Sequence, residues 1–281
     1  MIADHLFFTG VNILLAWSVY VILMSGTMSF GNGAFMAVGA YCAGVCTVKF
    51  GWPFEPAVVA AALFCFGSGV VVGFPALRTR GIYLIMVTIG LAFCVRVAIE
   101  NVPYLGGVRG LRGLVGTSPW HVAVILAIVG VMLWMVSRSP LQRVLDAVRE
   151  DEDVAGALGI NVVYVRVIAF AMGASLAGIG GALYGHYMLF IAPDHFGILI
   201  SITVVLYVIL GGVNNMWGPA LGAAVMTLLP EAVRSIADWR TAVFSLVIIL
   251  LLLVRPEGLL AFRTRSARTP DRSPAEGAGA P

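Results

Sequence analysis

The sequence predicts an all-α polytopic membrane protein, and three observations lead to that fold class. Of the 281 residues, 60% are hydrophobic and 11% are charged, and the mean hydropathy is +0.99. A soluble domain usually carries about 25% charged residues, so a water-soluble fold of this composition would lack the polar surface that covers a core. Long runs such as 57–76 and 196–229 also contain no Asp, Glu, Lys or Arg, and a helix needs about 20 apolar residues to cross a bilayer.

The same composition argues against other classes. The 17 basic residues are scattered among hydrophobic runs, unlike the clustered basic surface of a nucleic-acid-binding protein. The four cysteines lie inside apolar runs, which argues against a disulfide framework. Cys42 and Cys46 share a helix face and could form a metal or redox pair, but without His or carboxylate neighbours ordinary packing is favoured. Because the N-terminus lacks a basic region, we expect no cleaved signal peptide and take the first span as its own insertion signal.

The apolar runs predict about nine membrane-spanning helices, within a range of eight to ten. They lie at residues 6–24, 29–48, 56–77, 81–99, 119–137, 165–188, 198–213, 218–232 and 241–254. The last three are short for a full crossing, so tilted or broken helices are expected there. Together the spans form a transmembrane domain over 1–260, and the polar, Pro- and Gly-rich residues 261–281 are expected to form a disordered cytoplasmic tail.

The distribution of basic residues predicts that the N-terminus lies outside and the C-terminus inside. With this orientation the inner loops carry eleven arginines and the outer loops five basic residues, and positive residues favour the cytoplasmic side of a membrane. Tryptophans then fall at the ends of spans, as in interfacial belts. These are Trp52, Trp120 and Trp239 outside, and Trp134 and Trp217 inside.

The longest inner loop, residues 138–164, predicts an amphipathic helix between two spans. Ser139 is a suitable N-cap, Pro140 suits the first helical position, and Gly159 would end the helix. The apolar positions at helical spacing are Leu141, Val144, Leu145, Val148, Ala155 and Leu158. Four consecutive acids, 150–153, lie on the other side, where a helix resting on anionic lipid would be basic. Docking into a basic protein socket explains these acids, and a solvated connector is the alternative.

Short sequence blocks along residues 25–260 carry a resemblance to a known family. The inner loop contains Ser139-Pro-Leu-Gln-Arg143, Ala147-Val-Arg149-Glu-Asp-Glu152, Ala155 and Leu158-Gly-Ile160. The other blocks are Ser29-Phe-Gly-Asn-Gly33, Gly39-Ala-Tyr41, Leu77-Arg-Thr-Arg-Gly-Ile-Tyr83, Thr88, Gly106-Gly107, Gly110-Leu111, Gly211-Gly212, Gly218-Pro219, Gly222-Ala223 and Arg255-Pro-Glu-Gly-Leu259. In combination they resemble LivM-type permeases, the membrane subunits of branched-chain amino acid ABC importers, and the loop is less similar to that of their usual membrane partner, LivH. Cys94 departs from the family, which often has an acidic residue two positions before the arginine matched by Arg96.

The resemblance implies a multi-pass permease subunit of the bacterial cytoplasmic (inner) membrane that moves branched-chain or related hydrophobic amino acids into the cell by alternating access. The implied partners are a second, LivH-like permease subunit, two ABC ATPase subunits and an extracytoplasmic substrate-binding protein. In such importers a coupling helix docks on the ATPase. The coupling residues implied here are Arg143, Ala147, Arg149, Glu150, Asp151, Glu152, Ala155, Leu158 and Gly159.

ATP and Mg²⁺ would bind the partner ATPases rather than this chain. Its only lysine, Lys49, does not lie in a Gly-x-x-x-x-Gly-Lys-Ser/Thr motif, which is the loop that cradles nucleotide phosphates. We therefore expect no bound cofactor and no enzymatic activity of this chain's own.

Two segments in opposite halves, 29–34 and 211–220, combine glycines with asparagine beside a span. Interrupted helices in corresponding positions point to a transport pathway, because irregular backbone at membrane depth is tolerated only where it is buried in protein or lines a cavity. Tight turns with glycine packing are the alternative. The pathway residues expected are Ser29, Phe30, Gly31, Asn32, Gly33, Tyr83, Thr88, Gly211, Gly212, Asn214 and Asn215.

Three further features have structural interpretations. Arg96 is expected to snorkel or to pair with Glu100, and His186, beside Tyr187, is expected at an interface. The sixth span carries a ridge of small residues that is expected to pack within the bundle. The ridge consists of Gly173, Ala177, Gly181 and Gly185.

Two other functions stay open from the residues alone. A stand-alone secondary transporter or channel for small neutral solutes would usually need ion or proton sites in the bilayer, whereas Glu100, Asp194 and Glu231 lie at predicted span ends. A membrane enzyme would gather acid/base or nucleophilic groups on adjacent spans, and the sequence places no such cluster there. The carried solute cannot be read from the sequence, since relatives of this class also carry other amino acids, amides or urea.

Overall fold

The computed structural model describes residues 2–79, 81–114 and 116–232. The predicted span at 241–254, the predicted tail at 261–281 and Trp239 lie outside these residues. The described chain is almost entirely helical and polytopic, so the predicted all-α membrane class is confirmed.

The described helices and strands follow one another in a simple order. They are α1 (Ile2–Met24), α2 (Asn32–Val48), α3 (Phe54–Ala76), α4 (Ile82–Asn101), β1 (Leu111–Arg112), α5 (Pro119–Arg138), α6 (Pro140–Glu150), α7 (Glu152–Ala157), α8 (Val162–Met188), β2 (Phe190–Ile191), α9 (Ile198–Gly211) and α10 (Trp217–Ala232). Among the described residues, six helical segments are long and apolar enough to cross a membrane, and α2 and α10 are shorter apolar helices. The eight predicted spans that fall within the described chain correspond to α1 to α5 and α8 to α10, with ends that differ by up to four residues: α1 begins four residues earlier than expected, α8 three earlier and α2 three later.

Helix α8 forms the centre of the bundle and packs against α1, α2 and α3. A Cβ atom at Gly173 would overlap the side chain of Ile22 in α1, and one at Gly181 would overlap the carbonyl oxygen of Met36 in α2. Ala177, between these two glycines, is fully buried. Small side chains let helix backbones approach closely, and the predicted packing of this ridge within the bundle is confirmed.

Helices α4 and α5 lie at the periphery. Only 22% of the apolar window of α4 and 17% of that of α5 is buried, compared with 72% for α1. Large apolar side chains such as Phe93 and Ile128 are exposed on these helices. Such faces suit contact with hydrocarbon or with another membrane subunit.

The inner loop contains two helices, so the prediction of one continuous helix to Gly159 is wrong. Ser139 caps α6 as predicted, because its side chain accepts a hydrogen bond from the amide of Leu141. Asp151 then adopts an extended conformation (φ −152°, ψ 109°), and its carboxylate accepts hydrogen bonds from the amides of Asp153 and Val154 at 3.0 and 3.1 Å. An aspartate that caps a new helix competes with continuation of the old one, and the chain therefore turns at Asp151.

The bundle has two distinguishable ends. At one end β1 pairs antiparallel with β2, which brings the α4–α5 connection against the chain that follows α8. Gly110 (φ 72°) makes this close approach possible, because a Cβ there would overlap the carbonyl oxygen of Ile191. Helix α5 runs from this ribbon end to α6, a distance of about 30 Å for a helix of its length. The opposite end, which carries α6 and α7, is called the α6–α7 end below.

Candidate functional site

The non-helical residues between α1 and α2, here the 25–31 segment, are largely enclosed by the bundle, although Gly26 is exposed. Ser25, Ser29 and Asn32 are buried, with at most 2% of each residue exposed. The Asn32 amide donates a hydrogen bond to Ser18 Oγ at 2.5 Å, and Ser29 Oγ accepts one from the amide of Gly31 at 3.1 Å. Irregular backbone at membrane depth requires such internal partners, so this segment is a built feature and not a frayed helix end.

The end of this segment is held between α4 and α9. The amide of Phe30 donates a hydrogen bond to Thr88 Oγ1 at 3.1 Å, and the amide of Gly33 donates one to Ser201 Oγ at 2.8 Å. Thr88 and Ser201 are both fully buried. The structure therefore brings the predicted residues 29–33 and Thr88 together, and it adds Ser201, which no motif indicated because a single serine in an apolar run carries no spacing signal.

The other predicted pathway residues lie elsewhere. Tyr83 lies near the start of α4 and is 73% exposed. Gly211 is the last residue of α9 and Gly212 begins the turn to α10; a Cβ at Gly211 would overlap the backbone of Gly218. In the same turn Asn214 is exposed and Asn215 Oδ1 accepts a hydrogen bond from the amide of Trp217 at 3.4 Å. This second segment is thus a turn with close glycine packing.

Two cavities follow one side of α4, with Thr88 between them. The lower cavity, of about 380 Å³, faces the α6–α7 end, and the upper cavity, of about 240 Å³, faces the ribbon end. The lower cavity is lined by Gly26, Thr27, Met28, Leu77, Thr79, Gly81, Ile82, Leu84, Ile85, Glu152 and Arg166. The upper cavity is lined by Ala92, Phe93, Arg96, Asp194, Phe196, Gly197, Ile198, Leu199 and Ile200. Thr88, which accepts the hydrogen bond from the Phe30 amide, lies on α4 between the residues that line the lower cavity and those that line the upper one.

An ion pair connects α7 to the lower cavity. Arg166 Nη1 of α8 lies 2.5 Å from Glu152 Oε2, and the two side chains are only 16% and 25% exposed. The Nε atom of Arg166 also donates a hydrogen bond of 3.5 Å to the carbonyl oxygen of Ser25. Gly26 (φ 75°) packs against Arg149 of α6, since a Cβ there would lie 3.2 Å from the Arg149 Cα. The 25–31 segment is therefore in direct contact with α6, and it is linked to α7 through Arg166 of α8.

The outer surface of α6 and α7 combines acids with apolar side chains. Val154 and Leu158 are 55% and 74% exposed although both are apolar. The predicted coupling residues Arg143, Arg149, Glu150, Asp151 and Gly159 are also exposed, Ala147 is half-buried and Ala155 is buried. Glu152 differs from its neighbours because it points to Arg166 of α8. Leu158, which was predicted both as an apolar position of the helix and as a coupling residue, directly follows α7.

The two ionisable residues within spans have defined partners. Arg96 Nε lies 2.8 Å from Glu100 Oε1, which confirms the predicted pair, and Arg96 also forms an ion pair with Asp194 that the sequence did not indicate. His186 is fully buried, so its prediction as an interfacial residue is wrong. Its Nε2 lies 3.1 Å from Thr47 Oγ1, and its Nδ1 lies 2.7 Å from the carbonyl oxygen of Ala182. A histidine in the core is stable when both ring nitrogens have partners.

In the part of the chain that the structure describes, no three His, Cys, Asp or Glu side chains lie close enough together to hold a metal ion. The four cysteines are free thiols.

Comparison with known proteins identifies relatives along most of the chain. Residues 1–255 match the family model described as branched-chain amino acid transport system / permease component. The LivM protein of Salmonella typhimurium, a high-affinity branched-chain amino acid transport system permease protein, is 27% identical over 289 residues, which cover 90% of this chain and 68% of that protein. LivM of Escherichia coli has the same identity and coverage. LivH of Escherichia coli is 30% identical over 125 residues, or 43% of this chain and 40% of that protein. No solved structure matches the chain.

Proposed function

Since the chain belongs to the family of branched-chain amino acid transport system permease components, we propose that it is the membrane-spanning permease subunit of an ATP-driven importer for branched-chain or related hydrophobic amino acids. Two relatives that match 90% of this chain are named as branched-chain amino acid transport system permease proteins. ATP hydrolysis then belongs to separate ATPase subunits. The chain works in the cytoplasmic membrane of a bacterium, beside a second permease subunit and below an extracytoplasmic substrate-binding protein.

The N-terminus lies outside and the α6–α7 end lies in the cytoplasm. This orientation follows from the arginine-rich loops at that end, because positive residues are retained on the cytoplasmic side. It presents the exposed acids Glu150 and Asp153, together with Val154 and Leu158, to the cytoplasm. We call these four residues the docking surface. An acidic surface with exposed apolar side chains is complementary to a protein groove with basic walls. Anionic lipid would repel the same surface.

Coupling passes from the docking surface to the 25–31 segment through two contacts. Glu152 holds Arg166, which reaches the Ser25 carbonyl oxygen, and Arg149 supports Gly26. A movement of α6 and α7 driven by the ATPases therefore displaces the segment that ends at Phe30. An ATPase can shift the permease between two states only through contacts that differ between them, and these contacts are positioned to do so.

The solute passes along the side of α4 through the two cavities. In the conformation described, the Phe30 amide is hydrogen-bonded to Thr88 between them, so the pathway is closed at this level. Withdrawal of the 25–31 segment joins the two spaces. Few contacts link α4 to α9, and the second permease subunit completes the wall of this cleft against hydrocarbon.

One observation carries the proposal: the exposed docking surface is tied to the lower cavity by the Glu152–Arg166 ion pair. For the test, the complex is purified through a tag on this chain and reconstituted in liposomes. ATP and the substrate-binding protein are then supplied. Glu150→Lys combined with Asp153→Lys should abolish ATP-dependent leucine uptake and release the ATPases, because a basic groove repels the new lysines. Glu55→Lys is the control and should transport normally, because Glu55 is an exposed acid (71% accessible) at the ribbon end, where it lies 3.7 Å from His121.

Two results would contradict the proposal. Wild-type uptake by the Glu150→Lys, Asp153→Lys variant would show that this surface is a solvated connector. Uptake by the isolated chain, driven by an ion gradient and independent of ATP, would identify a secondary transporter.

A further inference from the structure

The upper cavity combines one positive group, one accessible negative group and an apolar wall. Arg96, 38% exposed, and Asp194, 70% exposed, form an ion pair at its rim. The remaining lining consists of Gly197 and the apolar residues Ala92, Phe93, Phe196, Ile198, Leu199 and Ile200. We propose that this cavity is a transit site for one zwitterionic aliphatic amino acid, with Arg96 binding its carboxylate, Asp194 its ammonium group and the apolar wall its side chain.

The size of the cavity agrees with a ligand of this kind. Pockets for drug-sized molecules measure about 300–1,000 Å³, and the upper cavity, at about 240 Å³, suits a smaller molecule such as a single amino acid. Phe93 and Leu199 beside the cavity are more than half exposed, so its open side lies on the surface that the second permease subunit covers under the proposed function.

The charges also suit a zwitterion. An α-carboxylate and an α-ammonium group lie on one carbon, so a ligand that inserts between Arg96 and Asp194 replaces one ion pair by two. Arg96 stays anchored during this exchange, because its Nε remains 2.8 Å from Glu100, and a guanidinium can serve two carboxylates through separate donors. The group of Arg96, Glu100 and Asp194 has a formal charge of −1, which disfavours a ligand with an extra carboxylate.

The position of the cavity gives the site a role in transport. It lies on the ribbon-end side of Thr88, which closes the way to the lower cavity. The cavity therefore receives solute from outside and holds it until the 25–31 segment moves.

This inference rests on the proposed function, and its test is separate from transport. Calorimetry on the complex captured through this chain, in nanodiscs and without the binding protein, measures leucine binding directly. Arg96→Gln and Asp194→Asn should each weaken leucine binding by about tenfold or more, the value of one charge-assisted hydrogen bond. Arg96→Lys should retain part of the affinity. Arg112→Gln, an exposed arginine at the same end that stacks on Phe190, is the matched control and should bind as the wild type does.

Ligand analogues test the two charges on an unaltered protein. Leucinamide lacks the carboxylate and 4-methylpentanoate lacks the ammonium group, so both should bind more weakly than leucine, and glutamate should bind poorly. Leucine affinity that is unchanged in Arg96→Gln and Asp194→Asn, or absent from the wild-type complex, overturns the site even if the importer works. A complex that binds leucine here but does not transport it with ATP keeps the site and contradicts the proposed function.

Discussion

Arg166 of α8 binds Glu152 of α7 and the carbonyl oxygen of Ser25 at the same time. A single guanidinium thus joins the surface loop to the central helix of the bundle and to the 25–31 segment. Its planar, five-donor geometry allows this multiple contact, which a lysine would not reproduce. The position of this side chain makes it the most direct mechanical connection between the α6–α7 end and the lower cavity.

Reversal of the charge at Arg166 should uncouple the transporter. Arg166→Glu places two carboxylates together in a partly buried site and should lower the free energy of unfolding by about 2 kcal/mol, between the values for exposed and buried ion pairs. The assembled complex should hydrolyse ATP with little leucine uptake. Thermal unfolding and the ratio of uptake to hydrolysis are the measurements.

The double exchange of Arg166→Glu with Glu152→Arg is the control for loss of charge alone. It restores an ion pair with the opposite polarity and should recover most of the stability and part of the uptake. Coupled uptake in the Arg166→Glu single variant would show that the ion pair only stabilises the fold.

Glycines at helix contacts should be far less replaceable than glycines on open faces. A Cβ at Gly39 of α2 would overlap the backbone of Gly178 in α8, whereas Gly67 of α3 and Gly90 of α4 face open space. Gly39→Ala should therefore destabilise the protein by about 3 kcal/mol or prevent its accumulation, because backbone atoms cannot move aside as a side chain can. Gly67→Ala and Gly90→Ala should be neutral or stabilising by up to about 1 kcal/mol.

The measurement is the melting temperature of the detergent-solubilised chain, followed by fluorescence. Equal effects at Gly39 and Gly90 would mean that α2 and α8 do not approach as closely as described.

The span positions were predictable because the hydrocarbon core imposes length and apolarity on every crossing helix. The same constraint explains why the small-residue ridge of α8 could be assigned to packing. The ribbon of β1 and β2 was not predictable, since two-residue strands carry no periodicity. The break at Asp151 was missed because the sequence pattern does not distinguish an aspartate that continues a helix from one that caps a new helix.

The candidate site was predictable only where residues cluster in sequence. Residues 29–33 combine glycine with asparagine and were found for that reason, and Thr88 was indicated by the family resemblance. The pairing of Arg96 with Asp194 joins positions 98 apart, and tertiary contacts of this kind leave no local signal. His186 was misplaced because its position near a helix end suggested an interface, while its two hydrogen bonds and the packed Phe54 ring hold it in the core.

The exposed Leu158, which directly follows α7, should contribute to partner binding without affecting the fold. Leu158→Ser removes an apolar side chain that is 74% exposed, so the melting temperature of the chain should change little. Recovery of ATPase subunits with the tagged chain should fall markedly, because apolar anchors at the centre of an interface carry much of its binding energy. Leu6→Ser, a leucine 64% exposed at the other end of the bundle, is the matched control. Equal ATPase recovery with both variants would place the ATPase contact elsewhere.

The hydrogen bond between Phe30 and Thr88 should keep the pathway closed at rest. Thr88→Val keeps the shape of this fully buried side chain but removes the hydroxyl, which accepts the hydrogen bond from the partly buried Phe30 amide and donates one to the carbonyl oxygen of Ile85. Loss of one such bond, with a buried donor left unpaired, costs about 1–3 kcal/mol. The 25–31 segment should therefore leave its closed position more often, and liposomes containing the complex should leak preloaded leucine in the absence of ATP. Thr203→Val is the matched control, because Thr203 Oγ1 donates only to the carbonyl oxygen one turn earlier in α9, at Leu199. A leak that is the same in both variants, or absent from Thr88→Val, would show that another contact closes the pathway.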